Sequence, residues 1–343
     1  MGVNLGLLEA GSPVSGAKKM HFNIFTPLLL TVYVFTFVTG FLSNLLAFYT
    51  FLVKVRQKPA PVDILLLNLT VSDLLFLIFF PFKMVEAASA MEWNLPRFLC
   101  PFTSFIYYSS IYISSLFLMA VSVERYLGVA FPIKYKVWRR PAYATASMFF
   151  WLVAFCHCSI FYVVQYQSPS VTVPANNESY CYDCFSPMLL RVQLEFFIVL
   201  FCLPFTITVF CYVNFIRILV ALPNITACRK WWAVGLVLVT LFNFIICFAP
   251  YNLSHAVGFV QNESPDWRVC ALLLTTLNAS LDPVVFYFSS TAIQQAFAKC
   301  RAGIRHKLST LMARCYVPCV EGDNKLEAAH GSKNEEAMNS LPR

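Results

Sequence analysis

Seven long apolar stretches dominate the chain, and short polar or charged segments separate them. Each has about 20 residues or more, the length that an α-helix needs to cross a lipid bilayer. They occupy residues 27–53, 62–85, 97–129, 142–166, 187–221, 231–260 and 267–289. A shorter amphipathic stretch, 291–303, follows the last one. The pattern predicts an all-α fold, a seven-transmembrane helix bundle with a short amphipathic cytoplasmic helix.

The third apolar stretch differs from the others because it contains many polar side chains. Between Cys100 and the triplet Glu124-Arg125-Tyr126, its hydroxyl-bearing residues include Ser104, Tyr107, Tyr108, Ser109, Ser110, Tyr112, Ser114 and Ser115. A helix that faces lipid on all sides would not keep so many hydroxyl groups. We therefore predict a steeply tilted helix at the centre of the bundle, with a cavity beside its middle.

Composition and charge support a membrane protein. Of 343 residues, 59% are hydrophobic and 12% are charged, whereas about a quarter of the residues of a soluble domain are charged. The net charge of +8 does not indicate a nucleic-acid partner, because the basic residues lie in short loops beside the apolar stretches. The expected surroundings are membrane lipid.

The distribution of basic residues predicts the orientation in the plasma membrane. Basic residues follow the first, third, fifth and seventh stretches, whereas acidic residues prevail in the other loops. The carboxyl tail is therefore expected to be cytoplasmic and the amino terminus extracellular. We expect residues 1–26 to form an extracellular segment, 27–303 the bundle with its amphipathic helix, and 304–343 a disordered tail.

Two kinds of modification site are candidates. The triplet Asn177-Glu178-Ser179 lies in an expected outer loop and fits a glycosylation acceptor. Cys300, Cys315 and Cys319 lie where juxtamembrane palmitoylation occurs. Unmodified thiols are the alternative for these three.

Five polar residues lie at comparable depth within four of the stretches: Asn44, Asp73, Ser114, Asn278 and Asp282. Charge at bilayer depth is costly and needs a reason. A hydrated cluster of these residues is one reason, with Asp73, Ser114, Asn278 and Asp282 as a candidate sodium site, since oxygen ligands suit a hard cation. A purely structural hydrogen-bond network is the alternative.

Prolines interrupt three of the stretches. Pro204, Pro250 and Pro283 each remove a backbone donor, so we predict kinks in the fifth, sixth and seventh helices. Kinked helices next to a polar cluster indicate a bundle that can change conformation.

Together these positions resemble the rhodopsin-like (class A) G-protein-coupled receptors. The shared landmarks are Asn44, the segment 68–73, Glu124-Arg125-Tyr126, Trp151, Pro204, Tyr212, Pro250 and Asp282-Pro283. The resemblance implies a disulfide between Cys100 and Cys181, no enzymatic activity, and a heterotrimeric G protein and arrestin as partners. It also implies an activation switch at Asp73, Ser114, Glu124, Arg125, Tyr212, Phe248, Pro250, Asn278, Asp282 and Pro283.

Four positions depart from the pattern of that family. Phe248 replaces the usual tryptophan of the sixth helix, and Asp282 and Phe286 alter the usual Asn-Pro-x-x-Tyr motif of the seventh. Lys230 stands where an acidic partner of Arg125 is usual. We therefore expect no interhelical ionic lock and a raised basal activity.

Charged residues near the outer ends of the last three helices suggest the ligand. Arg191, His255 and Arg268 lie there, while the only acid of the third stretch is Glu124 at its other end, and residues 267–289 contain no lysine. An amine or retinal ligand is thus not expected. Guanidinium groups bind carboxylate bidentately, so we expect a small anion as the ligand. Alternatively, Arg268 reaches the interface or pairs with an aspartate, Asp183 or Asp266.

A closer resemblance is to the free fatty acid receptors, carried by the segments 86–88, 124–130, 248–255, 264–268 and 277–283. His255 fits their short-chain branch. The resemblance implies that an arginine of the fifth helix, His255 and Arg268 hold a carboxylate. Asp183 would neutralise the charge of the arginines when no ligand is bound. The residues implied to shape the acyl pocket are Tyr108, Tyr112, His157, Gln165 and Tyr251.

The fifth helix departs from this resemblance. Gln193 occupies the place of the arginine, and Arg191 lies two residues earlier. Two residues turn a helix by about 200°, so Arg191 points away unless the helix begins irregularly. A pair of Arg191 with Glu195, four residues on, is an alternative. The departure leaves a longer fatty acid or another anion open as ligand.

Two other functional classes fit less well. A carboxylate transporter also places charge inside spans, but the two halves show no internal repeat and no matching interrupted spans. A membrane metallohydrolase needs several His and Asp ligands at membrane depth, and only His157 and His255 are candidates.

Overall fold

The computed structural model describes residues 13–57, 60–89, 93–96, 98–132, 140–167, 187–222, 226–265 and 267–307. In these ranges, 7 helices are long and apolar enough to cross a membrane, so the predicted bundle is confirmed. The first four are α1 (Pro13–Gln57), α2 (Pro61–Ala88), α3 (Leu99–Ala130) and α4 (Arg140–Gln167).

The last three membrane helices are each built from consecutive pieces. α5 consists of α-helical Pro187–Glu195, π-helical Phe196–Cys202 and α-helical Leu203–Ala221. α6 consists of α-helical Ala227–Phe242, π-helical Asn243–Phe248 and α-helical Ala249–Gln261. α7 consists of Arg268–Thr276 and Asn278–Ser289, which a turn at Leu277 joins.

The interruptions of α5 and α6 lie just before prolines, in helices where the sequence predicts kinks. Pro204 and Pro250 are each the second residue after a π-helical turn. Proline has no N–H group and its ring clashes with the carbonyl four residues earlier, so the wider π-helical turn accommodates it. In α7 the turn at Leu277 precedes Pro283. These three helices therefore contain local irregularities on which a conformational change can act.

Two helix boundaries differ from the sequence prediction. α1 begins at Pro13, well inside the segment 1–26 that we expected to precede the first helix. Proline is tolerated in the first turn, where its missing donor is not needed. The chain divides into two compact units after Ser290. Within the second unit, the predicted amphipathic helix, α8, covers 291–307 and so extends past the predicted end at 303.

α3 is the central helix of the bundle. Of its most apolar 18-residue window, 72% is buried, a larger share than in any other membrane helix of the described ranges. It packs against α2, α4, α5 and the π-helical turn of α6. Its serines, predicted to face the interior, are buried at Ser104, Ser109, Ser110, Ser114 and Ser115. Sequence polarity therefore located the centre of the bundle.

Polar side chains join neighbouring helices where lipid is excluded. Trp151 of α4 donates from Nε1 to Oδ1 of Asn68 in α2 at 3.0 Å. Lys54 of α1 pairs with the fully buried carboxylate of Asp63 in α2 at 2.7 Å. The same carboxylate accepts the backbone N–H of Ala60, so it also caps α2.

α6 and α7 approach each other closely at Gly235. A Cβ atom at this glycine would clash with Cε1 of Phe288. The ring of Trp232 packs beside it, with its centre 5.2 Å from that of Phe288 and 5.6 Å from that of Tyr287. Only glycine fits between these two helices without displacing the ring.

We expect Gly235→Ala to lower the free energy of unfolding by about 1–3 kcal/mol, because the added methyl group overpacks the contact between α6 and α7. Thermal unfolding of the purified receptor in detergent measures this as a lower Tm. Gly303→Ala is the matched control, since nothing lies within 4 Å of a Cβ there. Equal Tm values for the two variants would contradict the proposed contact.

Candidate functional site

A small cavity lies between α3, α4, α5, α6 and α7. The cavity and its opening enclose about 360 Å³. It is lined by Tyr108, Tyr112, Cys158, Gln193, Phe196, Tyr251, His255 and Arg268. Six of these residues, all but Cys158 and Phe196, are among the predicted ligand-binding residues.

Arg268, the first residue of α7, connects three helices through its guanidinium group. Its Nη1 donates to Oε1 of Gln193 in α5 at 3.1 Å. Its Nη2 lies 3.1 Å from Nδ1 of His255 in α6. The guanidinium carbon also lies 5.7 Å from the ring centre of Tyr251, a distance at which a cation is attracted to the ring face.

The contact with Arg268 determines how the His255 ring is protonated. A guanidinium group has only donors, so Nδ1 of His255 must accept and Nε2 carries the proton. That Nε2 lies 3.4 Å from the hydroxyl oxygen of Tyr112 in α3, at the outer limit of a hydrogen bond. His255 is 2% exposed and thus links Arg268 to the central helix.

The remaining wall of the cavity is mostly aromatic. The rings of Tyr108 and Tyr251 stack with their centres 6.3 Å apart and 12° between their planes. Tyr112 meets Phe196 edge-on at 5.2 Å. Tyr112 and Cys158 are each 1% exposed and close the deep end. The site thus combines one cationic group with an apolar interior, which suits a small molecule with an anionic head and an apolar body.

Within the described lining, Arg268 is the only residue with a permanent charge, and no carboxylate lies among the eight. None of the ion pairs found in the described ranges involves Arg268. The guanidinium of Arg268 lies in the cavity and does not extend to the membrane interface. Asp183 and Asp266, its other predicted partners, lie outside the described residues.

The structure corrects the predicted positions of two site residues. Arg191 is exposed, while Gln193 is 5% exposed and lines the cavity. The helix Pro187–Glu195 is regular at this point, so the 200° between the two residues turns Arg191 outward, as for any helix of about 3.6 residues per turn. Gln193, not Arg191, is the residue of α5 in the site.

His157 is the second corrected position. It lies outside the cavity lining, and its Nδ1 is 2.8 Å from Oε1 of Glu195. Glu195 therefore contacts α4, and the alternative pair of Glu195 with Arg191 is not formed in the structure. The residue that reaches the cavity from α4 is Cys158, next in sequence, which we did not predict.

Several predicted residues lie outside the described part of the chain. Cys100 is disulfide-bonded, whereas its predicted partner Cys181 is not described, so the pairing stays a prediction. Cys300 has a free, exposed thiol. The other undescribed positions are Asn177, Asp183, Cys315, Cys319 and the side chain of Gln165.

Comparison with known proteins decides the family. The sequence pattern of the 7 transmembrane receptor (rhodopsin family) matches residues 43–286. "Free fatty acid receptor 2" of Rattus norvegicus is 47% identical over 319 residues, which cover 91% of this chain and 96% of that protein. The chain belongs to the free fatty acid receptors of the rhodopsin family. The predicted resemblance is confirmed.

Other relatives agree with this assignment. "Free fatty acid receptor 2" of Homo sapiens is 46% identical over 304 residues, covering 87% of this receptor and 92% of that protein. "Free fatty acid receptor 3" of Mus musculus is 43% identical over 298 residues, covering 85% and 89%. The family couples to G proteins and binds small ligands, and these are the two kinds of partner of this receptor. As a member of this family, the receptor is a multi-pass membrane protein.

The predicted polar cluster is centred on Asp282. Its Oδ1 accepts from Nδ2 of Asn243 at 2.8 Å, and its Oδ2 accepts from Nδ2 of Asn278 at 3.1 Å. The carboxyl groups of Asp73 and Asp282 hydrogen-bond to each other. Asn44 instead donates to the backbone oxygen of Ala279 at 2.7 Å, so it ties α1 to α7.

Asn243 is a member of this cluster that sequence reasoning missed. It is fully buried in the π-helical turn of α6. The available signal was an amide in the middle of the apolar stretch 231–260, because a polar group at that depth needs a partner. Its bond to Asp282 connects α6 and α7 near the middle of both helices.

Three of the residues predicted for this cluster, Asp73, Ser114 and Asn278, have a buried side-chain oxygen without a hydrogen-bond partner among the described residues. These atoms are Oδ2, Oγ and Oδ1, respectively. Such hard oxygen donors fit a sodium ion. No group of three or more His, Cys, Asp or Glu side chains within the described ranges could hold a metal ion, so a metallohydrolase centre finds no support there.

The switch residues at the other end of the bundle form a different set of contacts. Arg125 donates from Nη2 to the backbone oxygen of Ser289 in α7 at 2.8 Å, and its Nε lies 3.7 Å from Oε2 of Glu124. Lys230 donates to the backbone oxygen of Val220 at 3.3 Å. Arg125 is thus held by a helix-end carbonyl of α7 rather than by a side chain of α6.

Tyr212 and Phe248 complete the switch positions. Tyr212 of α5 donates from its hydroxyl to Oγ1 of Thr240 in α6 at 3.1 Å. Phe248, which replaces the usual tryptophan, is fully buried and packs edge-on against Phe244 at 5.7 Å. Pro250 and Pro283 follow the irregular turns of their helices.

Replacing Asn243 by Leu should lower the free energy of unfolding by about 1–3 kcal/mol, because Oδ1 of the buried Asp282 loses its donor. Thermal unfolding in detergent measures the change. Asn214→Leu is the matched control, since the hydrogen bond from that amide to the Phe210 oxygen stays within its own helix. A drop in Tm no larger than that of the control would rule out this role for Asn243.

Proposed function

We propose that this receptor binds short-chain fatty acids, from acetate to butyrate in size, and signals through heterotrimeric G proteins. The observation that carries the proposal is the Arg268 guanidinium inside a small aromatic cavity whose described lining contains no carboxylate. The similarity to free fatty acid receptors 2 and 3 supports a fatty acid as ligand.

The carboxylate of the ligand is proposed to bind Arg268. A guanidinium has five N–H donors, and two are engaged by Gln193 and His255. The N–H groups that remain can donate to the oxygens of one carboxylate. The alkyl chain would lie against the rings of Phe196 and Tyr251. Since a short acid offers few atoms, its affinity is expected to be weak.

Binding would act on the position of α5, α6 and α7 relative to each other. The carboxylate adds contacts at the point where Gln193, His255 and Arg268 already meet. It shifts the conformational equilibrium only by its differential affinity for the two states. We propose that α6 then moves at its far end, which requires the contact of Tyr212 with Thr240 to break, and that a G protein binds the opened face.

The orientation of the chain in the membrane supports this arrangement of partners. By the distribution of basic residues, the amino terminus is extracellular and the carboxyl tail cytoplasmic. Arg125 would then lie at the cytoplasmic face, where a G protein and, in the same region, arrestin bind. Because Lys230 cannot form an ion pair with Arg125, raised basal activity remains a prediction of this interpretation.

We also propose that the polar cluster binds Na⁺ through Asp73, Ser114, Asn278 and Asp282. Replacing NaCl by choline chloride should then lower the Tm of the purified receptor, since an ion that binds only the folded state stabilises it by about 1.4 kcal/mol at ten times its Kd. Asp73→Asn should remove this dependence on sodium. Asp63→Asn, the control, alters a buried carboxylate elsewhere and should retain it.

Arg268→Ala is expected to abolish the G-protein response to propionate, because the carboxylate loses its cationic partner. A fall in potency of more than about 100-fold corresponds to the loss of about 3 kcal/mol, at the upper end for hydrogen bonds to charged groups. Dose–response curves in cells that express the receptor, normalised to surface expression, measure it.

Arg191→Ala is the matched control, since it removes the same charge from the exposed face of α5. It should leave the propionate response within about twofold of the unsubstituted receptor. An unchanged response of the Arg268→Ala receptor would refute the proposed site, and an equal loss in both variants would show that the effect is not specific to the cavity.

A further inference from the structure

The end of α7 that lies opposite the cavity contacts two neighbouring helices. The indole of Trp232, near the start of α6, packs against the rings of Tyr287 and Phe288, with ring centres 5.6 and 5.2 Å away. We call these three residues the aromatic clasp. The backbone oxygen of the next residue, Ser289, accepts the Nη2–H group of Arg125 in α3 at 2.8 Å. α3 and α6 are therefore both attached to the same short segment of α7.

The aromatic clasp requires a short distance between α6 and α7. At Gly235, three residues after Trp232, a Cβ atom would clash with the ring of Phe288. The rings of Tyr287 and Phe288 themselves meet edge-on, with their centres 6.1 Å apart. Dispersion contacts weaken steeply once a gap of about 1 Å opens between the atoms. The clasp is therefore lost when the start of α6 moves away from α7.

No ion pair within the described ranges joins α6 to α3 or to α7. Lys230, two residues before Trp232, donates instead to the backbone oxygen of Val220 in α5 at 3.3 Å. The ion pair of Arg125 is with Glu124, its neighbour in α3. On the side that faces α7, the start of α6 is therefore held by aromatic rings and not by charge.

We propose that the aromatic clasp is an autoinhibitory contact, which holds the start of α6 against α7 while no ligand is bound. A contact that exists only in the closed conformation favours that conformation by the free energy of the contact. The inference rests on the proposed function, because the movement that the clasp opposes is the movement of α6 that allows a G protein to bind. It adds the residues that limit the activity of the receptor without ligand.

Trp232 has a matched control next to it in the sequence. Trp231 is 75% exposed, so Trp231→Ala removes the same side chain from an exposed position of α6. Trp232→Ala removes the ring from the clasp, whereas Trp232→Phe keeps an aromatic ring there. Phe288→Ala removes the partner on α7, and its combination with Trp232→Ala tests whether the two rings act through one contact.

The readout is ligand-free nucleotide exchange on a panel of heterotrimeric G proteins, measured in membranes and divided by the amount of receptor. The propionate dose–response curve is recorded for the same variants. Because the exchange without ligand does not require the cavity to bind anything, this readout separates the clasp from the proposed ligand. A merely structural role of Trp232 would lower the amount of receptor but would not raise the activity of each receptor molecule.

Trp232→Ala should raise ligand-free exchange per receptor by at least about threefold, because each aromatic pair shifts an equilibrium by about two- to tenfold. The propionate EC50 should fall, since a larger fraction of the receptor is already open. Trp231→Ala and Trp232→Phe should stay within about twofold of the unsubstituted receptor. Phe288→Ala should raise the exchange as well, and the double variant should exceed Trp232→Ala by less than about twofold, because the contact between the two rings is already lost.

Equal ligand-free exchange in Trp232→Ala and Trp231→Ala would overturn the inference, while a loss of the propionate response in Arg268→Ala would still support the proposed function. If Trp232→Ala yields no receptor, Gly235→Ala decides. Its methyl group displaces the ring of Phe288, so the exchange should rise above that of Gly303→Ala, and equal values would overturn the inference.

Two further outcomes distinguish the clasp from the ligand. A rise in Trp232→Ala without any response to propionate in the unsubstituted receptor would support the clasp and refute the proposed ligand. An absence of exchange in every variant, with and without propionate, would overturn both the inference and the proposed function.

Discussion

The guanidinium group of Arg268 is the interaction on which the candidate site depends. It lies where α5, α6 and α7 meet, and it is held by Gln193 and His255 while its charge has no compensating carboxylate in the described lining. A cation in a partly dehydrated cavity attracts an anion more strongly than one in water, because the effective dielectric constant is lower. The same residue thus connects three helices and places a positive charge in the cavity.

The path from this site through the molecule follows the contacts between α6 and α7. Arg268 meets His255 at one level, Asn243 meets Asp282 near the middle, and Gly235 meets Phe288 at the far end. The π-helical turn of α6 and the turn at Leu277 in α7 lie between the first and last of these contacts. A displacement at Arg268 therefore acts on two helices that are already irregular and tightly paired.

The membrane explains why the polar residues are arranged in this way. Each buried polar group in the bundle must find a partner inside the protein, because lipid offers none. Asn243, Asp73 and Asp282 accordingly share hydrogen bonds, and the end of α7 supplies a backbone oxygen to Arg125. These polar contacts are few and lie between helices, so they are also the contacts that a conformational change must rearrange.

The sequence by itself determined the seven helices and the central place of α3, and it singled out Arg268 and His255 as candidate site residues. Those features depend on local properties, namely the length of apolar stretches, the polarity of one stretch and the type of residue at its end. Only the tertiary structure decided between Gln193 and Arg191, moved His157 to Glu195 and gave Asn243 its partner. Each of these depends on the rotation of a helix about its axis and on a neighbour 38 to 75 residues away, which no local pattern specifies.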